Sequence, residues 1–145
     1  MVFRVEPKSL EGRRLERTIV ASAEHSASSV QMTASEKLPV MPTGQLLELI
    51  ESTAFDVVNP FLEPGHRTVG TGLELRHFAA TPETWRVTAT VTLRAINGRK
   101  CIFDVAVRDQ LEQVCTGAYF SYVVNTERFR SDVENKKYKL LSPVA

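Results

Sequence analysis

From residue 72 to residue 124 the chain alternates between apolar and other side chains with a period of two, and this run restricts the fold more than any other feature. Leu73, Leu75, His77 and Ala79 alternate with Gly72, Glu74, Arg76 and Phe78. Successive side chains of a strand point to opposite faces, so this pattern predicts a strand with one apolar face. Val87, Ala89, Val91, Leu93 and Ala95 repeat it against Thr88, Thr90, Thr92 and Arg94. That run stops at Asn97-Gly98, a dipeptide suited to the positive-φ positions of a tight hairpin. Cys101, Phe103, Val105 and Val107 form the return strand, and a polar turn follows from Asp109 to Glu112. The recurrence of Val114, Thr116, Ala118, Phe120, Tyr122 and Val124 predicts a last long strand.

Upstream, the segment from about Arg14 to Ala23 carries the β-branched pair Ile19-Val20 and reads as a first strand. The Ser/Ala-rich stretch from Ser22 to Ser35 follows neither period and reads as a loop or short helix. Leu46, Ile50, Thr53, Ala54, Val57 and Phe61 then recur at intervals of three and four, which predicts a helix from Thr43 or Gly44 to about Val58. Asn59-Pro60 ends it. The sum is one strand, one long helix, four strands of an antiparallel meander, and a charged terminal helix after Thr126. This is an α+β class in which one helix covers one face of a curved antiparallel sheet. Element order alone fits more than one fold of that class.

A length of 145 residues fits a single domain spanning 1–145. The formal net charge is +1, and Lys and Arg are interspersed with Asp and Glu, so neither nucleic acid nor an anionic membrane is expected as a main partner. Two local clusters, Lys8 with Arg13, Arg14 and Arg17, and Arg128 with Arg130, Lys136, Lys137 and Lys139, read as solvated faces, with phosphate-bearing ligands as the alternative. No apolar run approaches the roughly 20 residues of a membrane span, and MVFRVEPKSLEGRR lacks the hydrophobic block of a secretory signal, so a cytoplasmic location is expected. Cys101 and Cys115 lie in strand-like segments without CxxC spacing and read as small core residues. No phosphate loop, nucleophile elbow or H-E-x-x-H motif is present, and nothing calls for a metal or a bound cofactor.

Three residues could carry chemistry. With Leu46 set at zero on a helical wheel, the apolar stripe centres near about 40° and Glu51 falls at about 140°, the edge of the buried face. A carboxylate there is partly desolvated and more basic, although an ordinary rim glutamate would occupy the same place. Thr43 precedes the helix, where it reads either as an N-cap or as a hydroxyl at the positive end of the helix dipole. His77 shares the apolar face of Leu73 and Leu75, as a satisfied core histidine or as a general base. His25 and His66 fall in polar, loop-like surroundings and read as surface residues. Gly70 and Gly72 interrupt a strand and mark either a bulge or the close approach of a ligand.

The stretch PTGQLLELIESTAFDVVNPFLEPGHRTVGTGLELRHFAATP, Pro42 to Pro82, resembles the fluoroacetyl-CoA thioesterase family of hot-dog proteins. The T-G-x(6)-E helix start, the L-E-P-G turn, G-T-x(5)-H and A-A-T-P carry the resemblance. It continues more weakly through VTATVTLRAINGRKCIFDVAVRD and VCTGAY to Glu127-Arg128-Phe129. It implies a hot-dog fold, a curved antiparallel sheet wrapped around one long central helix, and hydrolysis of an acyl-CoA thioester. It also implies Thr43, Glu51 and His77 as the catalytic set, Gly70 beside the thioester, and a homodimer whose active site lies between subunits. In that dimer Thr43 and Glu51 are expected to face His77 across the interface. Ser121 stands where the fluoroacetyl-specific enzyme has an arginine, and small or charged residues around Ala34 and Lys37 replace its lid phenylalanines. Selectivity for a fluorinated acyl group is therefore not implied. The rival readings are a non-catalytic acyl-CoA or small-ligand binding module and, with a different Asp/His motif, a hot-dog hydratase or dehydratase.

Overall fold

The structure, a computed structural model, describes residues 1–23 and 38–141; most of the Ser22 to Ser35 stretch, His25, Ala34 and Lys37 lie outside the described residues. Strand β1 (Arg14–Val20) leads to helix α1 (Thr43–Val58), followed by β2 (His66–His77), β3 (Arg86–Asn97), β4 (Lys100–Arg108), β5 (Gln113–Asn125) and α2 (Thr126–Leu141). The five strands form one sheet in the order β1-β3-β4-β5-β2. Every neighbouring pair is antiparallel. α1 packs on one face, and the core lies between them: Leu46, Ile50 and Val57 from the helix, Val87, Val91, Leu93, Phe103 and Val107 from the sheet.

The expected helix α1 and the strands are present, but the meander runs only from β3 to β5. β2 does not pair with β3; it lies on the far edge, beside β5. The reason lies in the connection after His77. Its Thr81 carbonyl accepts the Met41 N–H at 2.8 Å. Pro82 bridges to Val40, and the buried Thr81 hydroxyl donates to Asp109 at 3.0 Å. These bonds hold the segment against the start of α1 and the β4–β5 turn, which rules out a direct hairpin. At the β3–β4 hairpin the loop is Gly98-Arg99, and Gly98 takes a φ of 62°, as a type II′ turn requires at its first central residue.

Three faces differ from the sequence expectation. On β5, Tyr119, Ser121 and Val123 point into the core, while Tyr122 is 43% exposed. Val114 and Cys115 are both buried at the start of the strand, after an irregularity at Val107/Arg108, and the alternation emerges with the opposite phase. A one-residue offset turns every following side chain over. On α1, Gln45, Leu49 and Val58 are buried besides the expected residues, which puts the centre of the buried stripe at about 10° on the same wheel. Glu51 therefore falls outside the stripe and is exposed in the chain. On β3 a register shift between Leu93 and Ala95 hands the inward position to Ile96, 5% exposed. Cys101 and Cys115 are free, buried core residues, as expected.

Gly117 is where the β2–β5 pairing is tightest. It pairs with Leu75, and a Cβ there would lie 2.0 Å from the Glu74 carbonyl oxygen. A backbone atom cannot swing aside as a side chain does, so Gly117→Ala should cost about 3 kcal/mol. Thermal denaturation should show a fall of about 5 °C or more; a Tm within a degree of wild type would contradict this packing.

Candidate active site

Thr43 is the first residue of α1, with Pro42 at the N-cap and no side-chain capping bond at that end. The N-cap reading of Thr43 is thus corrected. Its hydroxyl is used differently: Oγ1 lies 2.9 Å from His77 Nδ1. His77 ends β2, where it pairs with Cys115, and it is half-buried. Its Nε2 is buried and has no hydrogen-bond partner among the described residues.

The contact is built by the A-A-T-P segment immediately after His77. Met41, 1% exposed, is held by the Thr81 carbonyl two residues before Thr43. Thr81 is in turn anchored on Asp109, whose Oδ1 accepts the N–H groups of Leu111 at 2.8 Å and Glu112 at 2.9 Å. Burial would raise the Asp109 carboxyl. The backbone donors Leu111 and Glu112, the Thr81 hydroxyl and the Arg108 charge outweigh it and hold the group below its ordinary value.

Glu51 is not part of this contact. It lies eight residues further along α1, about 12 Å away along the axis. It borders a cleft of about 510 Å³ lined also by Arg17, Glu48, Ser52, Phe55, Asp56 and Arg67. In that cleft Arg17 is paired with Asp56, and the Arg67 guanidinium sits 5.1 Å from the centre of the Phe55 ring. Gly70 is on the same side, seven residues before His77 and about 20 Å from it along β2. The register shift between Gly70 and Gly72 makes this stretch a bulge, as the glycines predicted. Thr43 meets His77 within one chain, not across an interface.

The inverted face of β5 brings two residues here that the sequence pattern missed. A Cβ on Gly70 would lie 2.6 Å from the Tyr119 hydroxyl oxygen. Tyr119 is 7% exposed, and its ring packs on Phe103 with centroids 5.8 Å apart. Burial, with the Glu51 charge acting in the same direction, pushes the phenol up to about 12. Ser121, opposite Gly70 in the register, is 2% exposed and lies beside the buried Cys101 thiol on β4. His66, expected on a polar loop, instead opens β2 and is half-buried, with Nδ1 enclosed.

One helix packed against a five-stranded antiparallel sheet is the layout of a hot-dog fold, and the Thr43–His77 contact sits at the start of that helix. Solved hot-dog proteins share this fold. A hot-dog-like protein from Thermanaerovibrio acidaminovorans superposes with a TM-score of 0.80 at 22% identity, covering 91% of this chain and 97% of that one. A solved fluoroacetyl-CoA thioesterase FlK gives 0.79 at 28% identity, over 87% and 96% of the two chains. The fold and these relatives define a hot-dog thioesterase, a thioester hydrolase. The model of the fluoroacetyl-CoA-specific thioesterase family, FlK, matches residues 22–127. The fluoroacetyl-CoA thioesterase of Streptantibioticus cattleyicolor is 33% identical over 97 residues, 67% of this chain and 70% of that protein. The chain belongs to the fluoroacetyl-CoA thioesterase family.

Two consequences of the geometry can be measured. Gly70→Ala should destabilise the fold by about 2 kcal/mol, because the new methyl meets the Tyr119 hydroxyl. Adding Tyr119→Phe should recover most of that loss, since the next ring atom is 3.4 Å away. A double-mutant cycle by urea denaturation with no coupling would refute the contact.

The second consequence concerns Asp109. A depressed folded-state pKa contributes stability that is fully present above the unfolded carboxylate value, about 4, and is lost as the pH falls through the folded value. Asp109→Asn should lower stability at pH 7 by about 2 kcal/mol and flatten the acid decline of the wild type below about pH 4. Denaturation curves at pH 7 and pH 3 read both effects; parallel pH dependences in the two proteins would count against the assignment.

Proposed function

We propose that this thioesterase hydrolyses an acyl-CoA to the free acid and CoA, with Thr43, Glu51 and His77 as its catalytic residues and Gly70 beside the thioester. The observation that carries this reading is the 2.9 Å contact between Thr43 Oγ1 and His77 Nδ1 at the start of α1. When Nδ1–H donates to the threonine oxygen, Nε2 is left as a buried base with its lone pair free. In the opposite sense the threonine proton passes to the imidazole as its oxygen attacks. On either route an oxygen nucleophile adds to the thioester carbonyl carbon, the C–S bond breaks and the departing CoA sulfur takes a proton; on the threonine route a water then cleaves the acyl-threonine ester, releasing the free acid and restoring the hydroxyl. The positive end of α1 favours the negative charge that develops on the carbonyl oxygen.

The same reading makes the site bipartite. Thr43 and His77 stand about 20 Å from Gly70 along β2. β2 is also an edge strand of the sheet, with one side of its backbone unpaired among the described residues. Antiparallel pairing of two β2 edges around a twofold axis near their middle would bring the Thr43–His77 end of one copy towards Glu51 and Gly70 of another. The functional unit on this reading is a homodimer with two sites, each shared between subunits. Fluoroacetyl-CoA, named for the curated relative, is one acyl-CoA to test; the small Ser121 side chain favours no fluorinated acyl group over acetyl.

Release of free CoA from short and medium acyl-CoAs, followed with a thiol reagent, tests the activity. Thr43→Ala and His77→Ala should each lower kcat/KM by about 100-fold or more. If both variants turn over every substrate as the wild type does, Thr43 and His77 are not the catalytic residues; if the wild type itself releases no CoA from any substrate, the binding-module reading replaces this one. Mixing His77→Ala with Glu51→Ala protomers tests the shared site. Random re-pairing makes about half of the dimers hybrid, and each hybrid holds one intact site, so about a quarter of wild-type activity should return. No recovery beyond the sum of the parents would place all three residues in a single subunit's site.

A further inference from the structure

We propose that Tyr119 is a substrate-contact residue of this thioesterase, its hydroxyl donating a hydrogen bond to the carbonyl oxygen of the thioester seated against Gly70. The proposal rests on the reading that the thioester lies at Gly70. Three observations lead to it.

The first is position. An atom placed where a Gly70 side chain would begin is 2.6 Å from the Tyr119 oxygen, so whatever lies against the inner side of Gly70 meets that hydroxyl first. The second is rigidity. The ring is 7% exposed and leans on Phe103, and the strand registers set Tyr119 between Leu73 and Phe103. A donor held by packing pays little ordering cost when it engages a ligand. The third is the polarity of the surroundings. Ser121, on the same inward face and opposite Gly70, adds a buried hydroxyl beside the buried Cys101 thiol. With the Tyr119 phenol, the Ser121 hydroxyl and the Cys101 thiol on one inward face, the core on this side of β5 is more polar than apolar packing alone requires.

The phenol is suited to donating rather than to accepting a proton. With its pKa at about 12, it stays neutral throughout the range in which a histidine works as a base. It therefore complements His77: one group moves a proton, and the other holds its own and polarises the carbonyl. The carbon–sulfur chemistry is unchanged, because the phenol only donates a hydrogen bond and neither loses nor gains a covalent partner.

Tyr119→Phe removes the oxygen and leaves the ring on Phe103. Its Tm should stay within a few degrees of wild type, while kcat falls about 10- to 100-fold and KM changes less than about threefold. A kcat/KM within twofold of wild type would overturn the proposal. A second readout does not require turnover. A ketone analogue of acetyl-CoA, with CH₂ in place of the ester sulfur and ¹³C at the carbonyl, should show a lowered carbonyl stretch in isotope-edited infrared spectra when bound to the wild type. In Tyr119→Phe the stretch should return towards its value in water-free surroundings. If the wild type binds the analogue with the shift present but hydrolyses no acyl-CoA, the thioesterase mechanism fails and the Tyr119 contact stands. If hydrolysis is normal and the stretch is the same in both proteins, the Tyr119 contact fails and the mechanism stands. If the wild type neither hydrolyses acyl-CoA nor binds the analogue, both are overturned.

Discussion

The placement of β2 on the far edge of the sheet, zipped to β5, is the constraint on which everything else depends. Eleven residue pairs hold the two strands in register from His66–Asn125 to His77–Cys115. That register sets His77 at one end, under the start of α1, and Gly70 near the other, opposite Ser121. Gly117 is the tightest point, because the Glu74 carbonyl occupies the volume a side chain would need. A strand displaced by one residue would carry His77 to the other face of the sheet and dissolve the contact with Thr43.

A second layer of support for the Thr43–His77 contact is polar. Thr81 is fully buried, and its hydroxyl bond to Asp109 links the segment after His77 to the β4–β5 turn. Its carbonyl holds the residue that leads into α1. Buried polar groups of this kind are costly if left unpaired, and here each has a partner whose position matters to the site. The helix start and the strand end are therefore located by one short segment, residues 78–82.

Much of this was legible in the sequence. The period of 3.6 gave α1 with both ends correct, and the period of two gave the strands, because these patterns report directly which face is buried. The paired glycines announced the bulge in β2. Strand order was not legible, since local alternation carries no information about which neighbour a strand chooses. The phase of β5 was misread because Phe120 and Tyr122 look like core residues, whereas Tyr119 and Ser121 do not. That error hid the residues facing Gly70. For Glu51 the wheel used too few of the buried positions; Gln45 is a polar type and gave no sign of its burial, and Leu49 was left out of the stripe. Thr43 and His77 were singled out as individuals, but their 2.9 Å contact depends on a 34-residue separation that no local pattern encodes.

The space at Gly70 is claimed by the hydroxyl of Tyr119, and this has a bearing on how such a chain can change over generations. The two positions lie 49 residues apart in the sequence yet share one small volume. A lineage that acquires a side chain at position 70 first must pass through a strained intermediate, whereas one that first exchanges the tyrosine for a residue without the oxygen does not. The order of the two steps is thus fixed by sterics, and relatives with a larger residue at position 70 should lack a tyrosine at the position equivalent to 119.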